Sequence, residues 1–138
     1  MRAERVGSLF RKKGYDIKGI DNNLGNILDH LGKFEEAVYH FFKAIEIKPT
    51  FVDAHSNLGI ALANQGNLKK AIVHYSRALQ IKPDYAEVHN NLGAALTRQE
   101  KRKEAIVHFY EALRIKPDLK SAQNNLESAL NNQSNNKN

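Results

Sequence analysis

The chain has 138 residues, 41% hydrophobic and 26% charged, enough for one compact domain or one short repeat array. It has no Cys, which excludes a disulfide framework and any Cys-based metal site. The net charge of +6 is unevenly placed: residues 1–18 hold Arg2, Arg5, Arg11, Lys12, Lys13 and Lys18 against Glu4 and Asp16, the larger part of it; that segment lacks the apolar run of a signal peptide, and no stretch reaches the length of a membrane span. A soluble, cytoplasmic protein without a cofactor is the expectation.

A step of 34 residues organises the sequence. Pro49, Pro83 and Pro117 keep it, as do Ala37, Ala71 and Ala105; Phe41, Tyr75 and Phe109; and Ala44, Ala78 and Ala112. So do Gly25, Gly59 and Gly93, and two leucine columns, Leu24, Leu58, Leu92, Leu126 and Leu28, Leu62, Leu96, Leu130. Seven columns at one period mark tandem copies of a supersecondary unit.

Along the chain, residues 1–17 come first. One period before Ala37 lies Ala3, and one before Pro49 lies Tyr15, so residues 3–13 read as a degenerate second helix of an earlier unit, stopped at Gly14. Val6, Leu9 and Phe10 would pack on the hairpin that follows. A chain that opens halfway through a unit leaves an apolar edge. Either it is a truncated or diverged array, or that edge docks a partner or a second copy.

Residues 18–51, 52–85 and 86–119 are three full units of two antiparallel helices each. In the second unit Ala54, Leu58, Ala61 and Leu62 form the apolar stripe of a first helix, and Gly66 ends it as a left-handed cap. Ala71, Ile72, Tyr75, Ala78, Leu79 and Ile81 form the stripe of a second helix. Lys82 suits its C-terminal dipole, and Pro83 stops it. Asp84-x-x-Glu87 reads as a capping box for the next helix, with Thr50-x-x-Asp53 a weaker version. Gly59 opposite Ala71 and Ala78 brings the two helices close, with Tyr75 filling the wedge. Residues 120–133 repeat the first helix alone. There Glu127 replaces the glycine, and Asn124, Asn131, Asn132 and Gln133 supply the polar outer side of a capping helix. Residues 134–138 form a low-complexity, unstructured tail. The fold class is all-α, a solenoid in which each hairpin buries the apolar face of its neighbour.

The units resemble the tetratricopeptide repeat, whose signature is an aromatic, x-x-Leu-Gly-x-x-Tyr, Ala-x-x-x-Phe and Pro. "HSNLGIAL…AIVHY…A…P" and "HNNLGAAL…AIVHF…A…P" carry it, with His55 and His89 at the Trp-like place and Leu62 and Leu96 at the Tyr-like one. The resemblance covers residues 18–130 and implies a right-handed α-solenoid whose first helices line the inner curve. The pentatricopeptide repeat, which binds RNA, has a period one residue longer and fits less well, because the step here is strict and the Pro column is kept. "PTFVDAHSNLG" further resembles the repeat region of O-linked N-acetylglucosamine transferase, whose catalytic domain is absent here. That family's inner Asn ladder grips a substrate backbone.

Candidate sites follow from this register. His40, His74 and His108 recur at the 34-residue step, but equivalent positions of successive hairpins lie about 10 Å apart, too far to share an ion bound at about 2 Å. They are expected on the outer, solvated face, with His55 and His89 as packing residues. No nucleophile elbow, phosphate loop or carboxylate pair appears, so no enzyme is expected. Nucleic acid is disfavoured, because the lysine clusters Lys69–Lys70 and Lys101–Lys103 fall at hairpin turns and the inner positions are nearly neutral.

The informative column is Asn23, Asn57, Asn91 and Asn125. Asn is a mediocre helix former, yet it recurs just before a leucine column, at the rim of the buried face. Neighbouring inner columns have drifted: Asn26, Ile60, Ala94 and Ser128 in one, Asp29, Ala63, Thr97 and Asn131 in another. Descent from one duplicated unit is the bland explanation. The functional one is that a carboxamide both donates and accepts, and so can hold a peptide backbone whatever its side chains. Each hydrogen bond would add about 0.5–1.5 kcal/mol, enough for weak, sequence-tolerant binding. Asn22, Asn26, Asn90, Asn124 and Arg98 are the secondary contacts, and the expected partner is a protein or peptide segment. The two-carboxylate clamp of chaperone-binding relatives is a poor match. Asn26 and Asn57 fit two of its places, but Asn22, Glu87 and Asn91 stand where Lys, Lys and Arg are wanted.

Overall fold

Apolar residues at helical spacing form the expected antiparallel hairpins. The computed structural model describes residues 17–135, and among them there are seven helices and no strand. They are α1 (Ile17–His30), α2 (Phe34–Ile47), α3 (Val52–Asn64), α4 (Leu68–Ile81), α5 (Ala86–Arg98), α6 (Arg102–Ile115) and α7 (Lys120–Asn135). Val6, Leu9 and Phe10, with the half-unit expected there, lie outside the described residues. Helix α7 runs two residues beyond the expected end at 133, into the stretch read as an unstructured tail.

The three hairpin turns share one device. Gly32 and Gly66 adopt φ of 77° and 84°, and Glu100 takes the same place at 64°. The Asn67 amide reaches back to the Leu62 carbonyl at 2.8 Å and the Gly66 amide to Ala63 at 2.9 Å, the paired bonds of a left-handed C-terminal cap. Lys33 to Leu28 and Lys101 to Leu96 repeat it at 2.8 and 2.9 Å. The expected capping boxes do not form. Helix α5 is capped at Tyr85 and α3 at Phe51, each without a side-chain cap bond, because Asp84 and Thr50 sit one residue too early. Asn67, at the start of α4, does cap, accepting from the Lys70 amide.

Within each hairpin the glycine faces an aromatic ring rather than the alanines. A Cβ on Gly25, Gly59 or Gly93 would meet the ring of Phe41, Tyr75 or Phe109 at 2.5 Å. Only a bare backbone lets the ring lie flat against the partner helix. Phe41 and Phe109, with Leu58 and Val88, are the largest fully buried side chains. The leucine column is not uniformly buried: Leu58 and Leu92 are enclosed, but Leu24 is 38% exposed, since no described residue covers that side of α1.

The stacking sets the curvature. Each second helix packs on the first helix of the next hairpin, and the first helices α1, α3, α5 and α7 also approach closely in succession, whereas the backbones of α2, α4 and α6 stand farther apart, with the Phe42 ring of α2 reaching the His74 ring of α4. The row of first helices is therefore the tight, inner side of the stack. No helix of the described residues is long and apolar enough to cross a membrane.

Candidate functional site

The asparagine column lies along this inner row, but its members do different work. Asn57 Nδ2 donates to Asn22 Oδ1 at 3.0 Å, and Asn125 Nδ2 donates to Asn90 Oδ1 at 2.9 Å. Both bonds cross from one hairpin to the next. Asn90 in turn donates to Ser121 Oγ at 3.1 Å. Asn22 and Asn90 are only 7% and 6% exposed, so they belong to the seam between hairpins. The Oδ1 of each accepts across that seam, which leaves little of either carboxamide exposed on the inner face. Ser56 stands at the equivalent place in the middle junction, too short to continue the pattern. Asn23 and Asn91 make no side-chain hydrogen bond among the described residues. Asn23 and Asn124 are exposed, and Asn26 is half-buried.

The middle junction is tied at its two ends instead. Tyr85 donates its hydroxyl to Asp53 at 3.4 Å, and Arg98 Nη1 donates to the Ala63 carbonyl at 3.1 Å. Between these ties α3 and α5 leave a cavity of about 230 Å³ on the inner side, lined by Ile60, Ala63, Asn64, Tyr75, Asn91, Ala94, Ala95 and Arg98. Tyr75 enters it from α4. Reading the column as a wedge-filler overlooks its hydroxyl; the signal was the single Tyr between Phe41 and Phe109. Burial, then the nearby Asp29 carboxylate, pushes that phenol well above its ordinary value, with Arg98 opposing. It stays a neutral O–H.

The histidines also differ from expectation. His74 and His108 are half-buried rather than solvated, because each meets a partner in its own hairpin. His55 Nδ1 faces His74 Nδ1 at 3.4 Å, and His89 Nδ1 faces His108 Nδ1 at 3.2 Å, the rings stacked in both pairs. In the first hairpin Asp21 takes the place of the first histidine and accepts from His40 at 3.0 Å. His55 Nε2 lies 2.8 Å from the Pro49 carbonyl, His89 Nε2 the same distance from Pro83, and Gln123 makes the same contact to Pro117. A carbonyl only accepts, so Nε2 carries the proton and Nδ1 offers a lone pair to the second histidine. Testing the histidines between repeats, rather than at the 19-residue interval within one, hides this. Burial first, then the adjacent His55 and Lys70, lowers the pKa of His74; burial and His89 lower that of His108 against Glu104 and Glu111. No group of three or more metal-ligating side chains gathers among the described residues.

Comparison with known proteins places the helices in context. The profile described as "TPR repeat" matches residues 25–66 and 61–100, and that of "Tetratricopeptide repeat" matches residues 86–119. No curated protein matches in sequence. Among solved structures, the first TPR of Spaghetti (RPAP3) bound to the HSP90 peptide SRMEEVD is similar, with a TM-score of 0.83 and 20% identity over 86% of this chain and 94% of that one. The Sgt2 TPR domain from Aspergillus fumigatus gives a TM-score of 0.85 at 18% identity, covering 89% and 83%. The Arabidopsis OM64 TPR domain gives 0.83 at 19% identity, covering 85% and 97%.

Proposed function

The chain belongs to the tetratricopeptide-repeat family, and from that premise we propose that it is a protein-interaction scaffold that holds an extended peptide along its inner face. Asn23, Asn57, Asn91 and Asn125 grip the peptide backbone, with Asn26, Asn124 and Arg98 beside them. The observation that carries this reading is Asn91, a carboxamide with no hydrogen-bond partner among the described residues, set at the edge of an open cavity on the inner row. Asn57 and Asn125 each commit one N–H to the neighbouring hairpin and keep the other N–H and the oxygen. Support comes also from the similar fold of RPAP3, solved with a peptide bound. The likeness of the column to the repeats of O-linked N-acetylglucosamine transferase lends it backbone gripping, not glycosyl transfer. Asn22, Glu87 and Asn91 leave this groove without the bases of a chaperone-tail clamp, so a different ligand is inferred. We place the protein in the cytoplasm, where a Cys-free chain without disulfides is at home.

The test is Asn23→Ala combined with Asn91→Ala on a peptide array, since neither residue holds the fold together. Loss of array binding with unchanged melting is expected; an unchanged array pattern would sink the ladder.

A second reading, assembly through the N-terminal edge, is favoured by one observation. Ile20, Leu24 and Ile27 are exposed along one face of α1, with Leu31 exposed just past its end. Light scattering over a concentration series checks it, and a strict monomer removes self-association.

A further inference from the structure

We propose that the cavity between α3 and α5 receives one carboxylate of the bound peptide, held by Tyr75, Asn91 and Arg98. This rests on the peptide-binding reading above and names the chemistry of its central subsite.

The size of the cavity decides what kind of group fits. About 230 Å³ falls below the roughly 300–1,000 Å³ of small-molecule sites, so the space suits a single side chain or a chain end rather than a metabolite. Ile60, Ala63 and Ala94 supply apolar walls.

The polar lining is donor-rich. Tyr75 is 3% exposed, yet its hydroxyl has no hydrogen-bond partner among the described residues. No side-chain polar atom among them is both fully enclosed and unsatisfied, so what access the hydroxyl has is to the cavity it lines. Packing does not demand this oxygen. Phe41 and Phe109 lie on Gly25 and Gly93 just as Tyr75 lies on Gly59. The hydroxyl is therefore available to donate to an acceptor that enters the cavity.

Asn91 adds two N–H groups with no acceptor among the described residues. Arg98 spends Nη1 on Ala63 and keeps its remaining N–H groups. Arg98 is also the only charged residue in the lining. Asp29, whose carboxylate is felt at Tyr75, accepts from Asn64 Nδ2 at 3.2 Å and makes no ion pair with Arg98 among the described residues. A carboxylate can accept from all three donors and neutralise the guanidinium. An amide offers a single acceptor oxygen, and an ammonium meets a cation.

Two sources could supply the carboxylate, an Asp or Glu side chain within the peptide or a free C-terminus. The probes are Gly/Ser peptides of about nine residues, long enough to cross three first helices spaced about 10 Å apart. One set is amidated at the C-terminus and carries a central Asp, Asn, Lys or Ala. The other carries central Ala with a free C-terminal acid. Each is titrated into the full chain and followed by amide NMR shifts.

The Asp peptide or the free-acid peptide should bind about tenfold tighter than the Asn and Lys peptides, the worth of one charge-assisted hydrogen bond. Whichever of the two binds tighter identifies the source. Tyr75→Phe and Arg98→Gln should each abolish the preference while backbone-driven binding persists. Tyr75→Phe should melt like the parent, since Phe already fills that column in the other hairpins. Equal binding of all peptides overturns the carboxylate subsite and leaves the groove reading intact, as does a preference that survives both substitutions. Binding of no peptide overturns the groove reading and the subsite with it.

Discussion

In the first hairpin Asp21 of α1 accepts from His40 of α2; at the same places in the second and third hairpins His55 faces His74 and His89 faces His108. The helix geometry is alike, but the partner of the second histidine is a carboxylate in one hairpin and an imidazole in two. His74 and His108, half-buried beside that imidazole, are held below the ordinary histidine value, by burial first and by the neighbouring ring next. Two of the three hairpins thus carry a histidine that the fold keeps neutral.

The first way to break this comparison is to remove what the hairpins share. Phe41→Ala and Phe109→Ala each empty a buried ring site, and each should cost about 3–5 kcal/mol in urea denaturation. A Phe41→Ala cost near zero would show that the first hairpin is not part of the cooperative unit, and the comparison would lose its footing.

Next come the junctions. Asn57→Ala removes a bond and strands the enclosed Asn22 oxygen, so a loss of about 1–3 kcal/mol is expected. Asn91→Ala should change stability by less than about 0.5 kcal/mol, as a surface substitution does. Equal costs would mean that Asn91 also serves the fold.

Acid titration sharpens the contrast directly. His74 and His108 are held below the ordinary histidine value of 6.5, so the folded protein prefers them neutral. Their contribution is fully present above pH 6.5 and is lost as pH falls through their lowered folded values, where the unfolded chain binds the protons more readily. Unfolding free energies measured between about pH 8 and about pH 5 should fall on the acid side. His55→Asp, which copies the first hairpin, should flatten that fall. It also loses the bond to Pro49, so the slope and not the absolute stability is the readout. A slope unchanged by the substitution would detach the acid response from the histidine pair.

The smallest effect concerns the turns. Glu100 sits where Gly32 and Gly66 sit, at a φ that L side chains disfavour by about 1–2 kcal/mol. Glu100→Gly should raise stability by up to about 1 kcal/mol, the strain relief reduced by the greater freedom of glycine in the unfolded chain. The melting temperature checks it.

The helices were legible in the sequence because seven columns kept one period and each column met the same neighbours. What stayed hidden did not run at that period. The Asn57–Asn22 and Asn125–Asn90 bonds join residues 35 apart, one more than the repeat, so a column-by-column reading sees two separate asparagine columns and no link. The histidine pairs run at 19, within a unit. Leu24 shares a column with Leu58 but not its surroundings, since burial depends on what lies beside a helix rather than on the residue itself. Tyr75 was visible as a letter, but the openness beside its hydroxyl required the spacing of α3 and α5.

The 35-residue reach of those asparagine bonds has a kinetic meaning. These bonds, like those of Asn64 to Asp29 and Arg98 to Ala63, reach only from one hairpin to the next. Each closure is short, so the entropy lost in making it is modest and the search for native pairings is local. Folding can begin at any hairpin and spread to its neighbours, each docking step closing one seam. Lengthening the array by another 34-residue unit would add a step of the same kind without slowing the others.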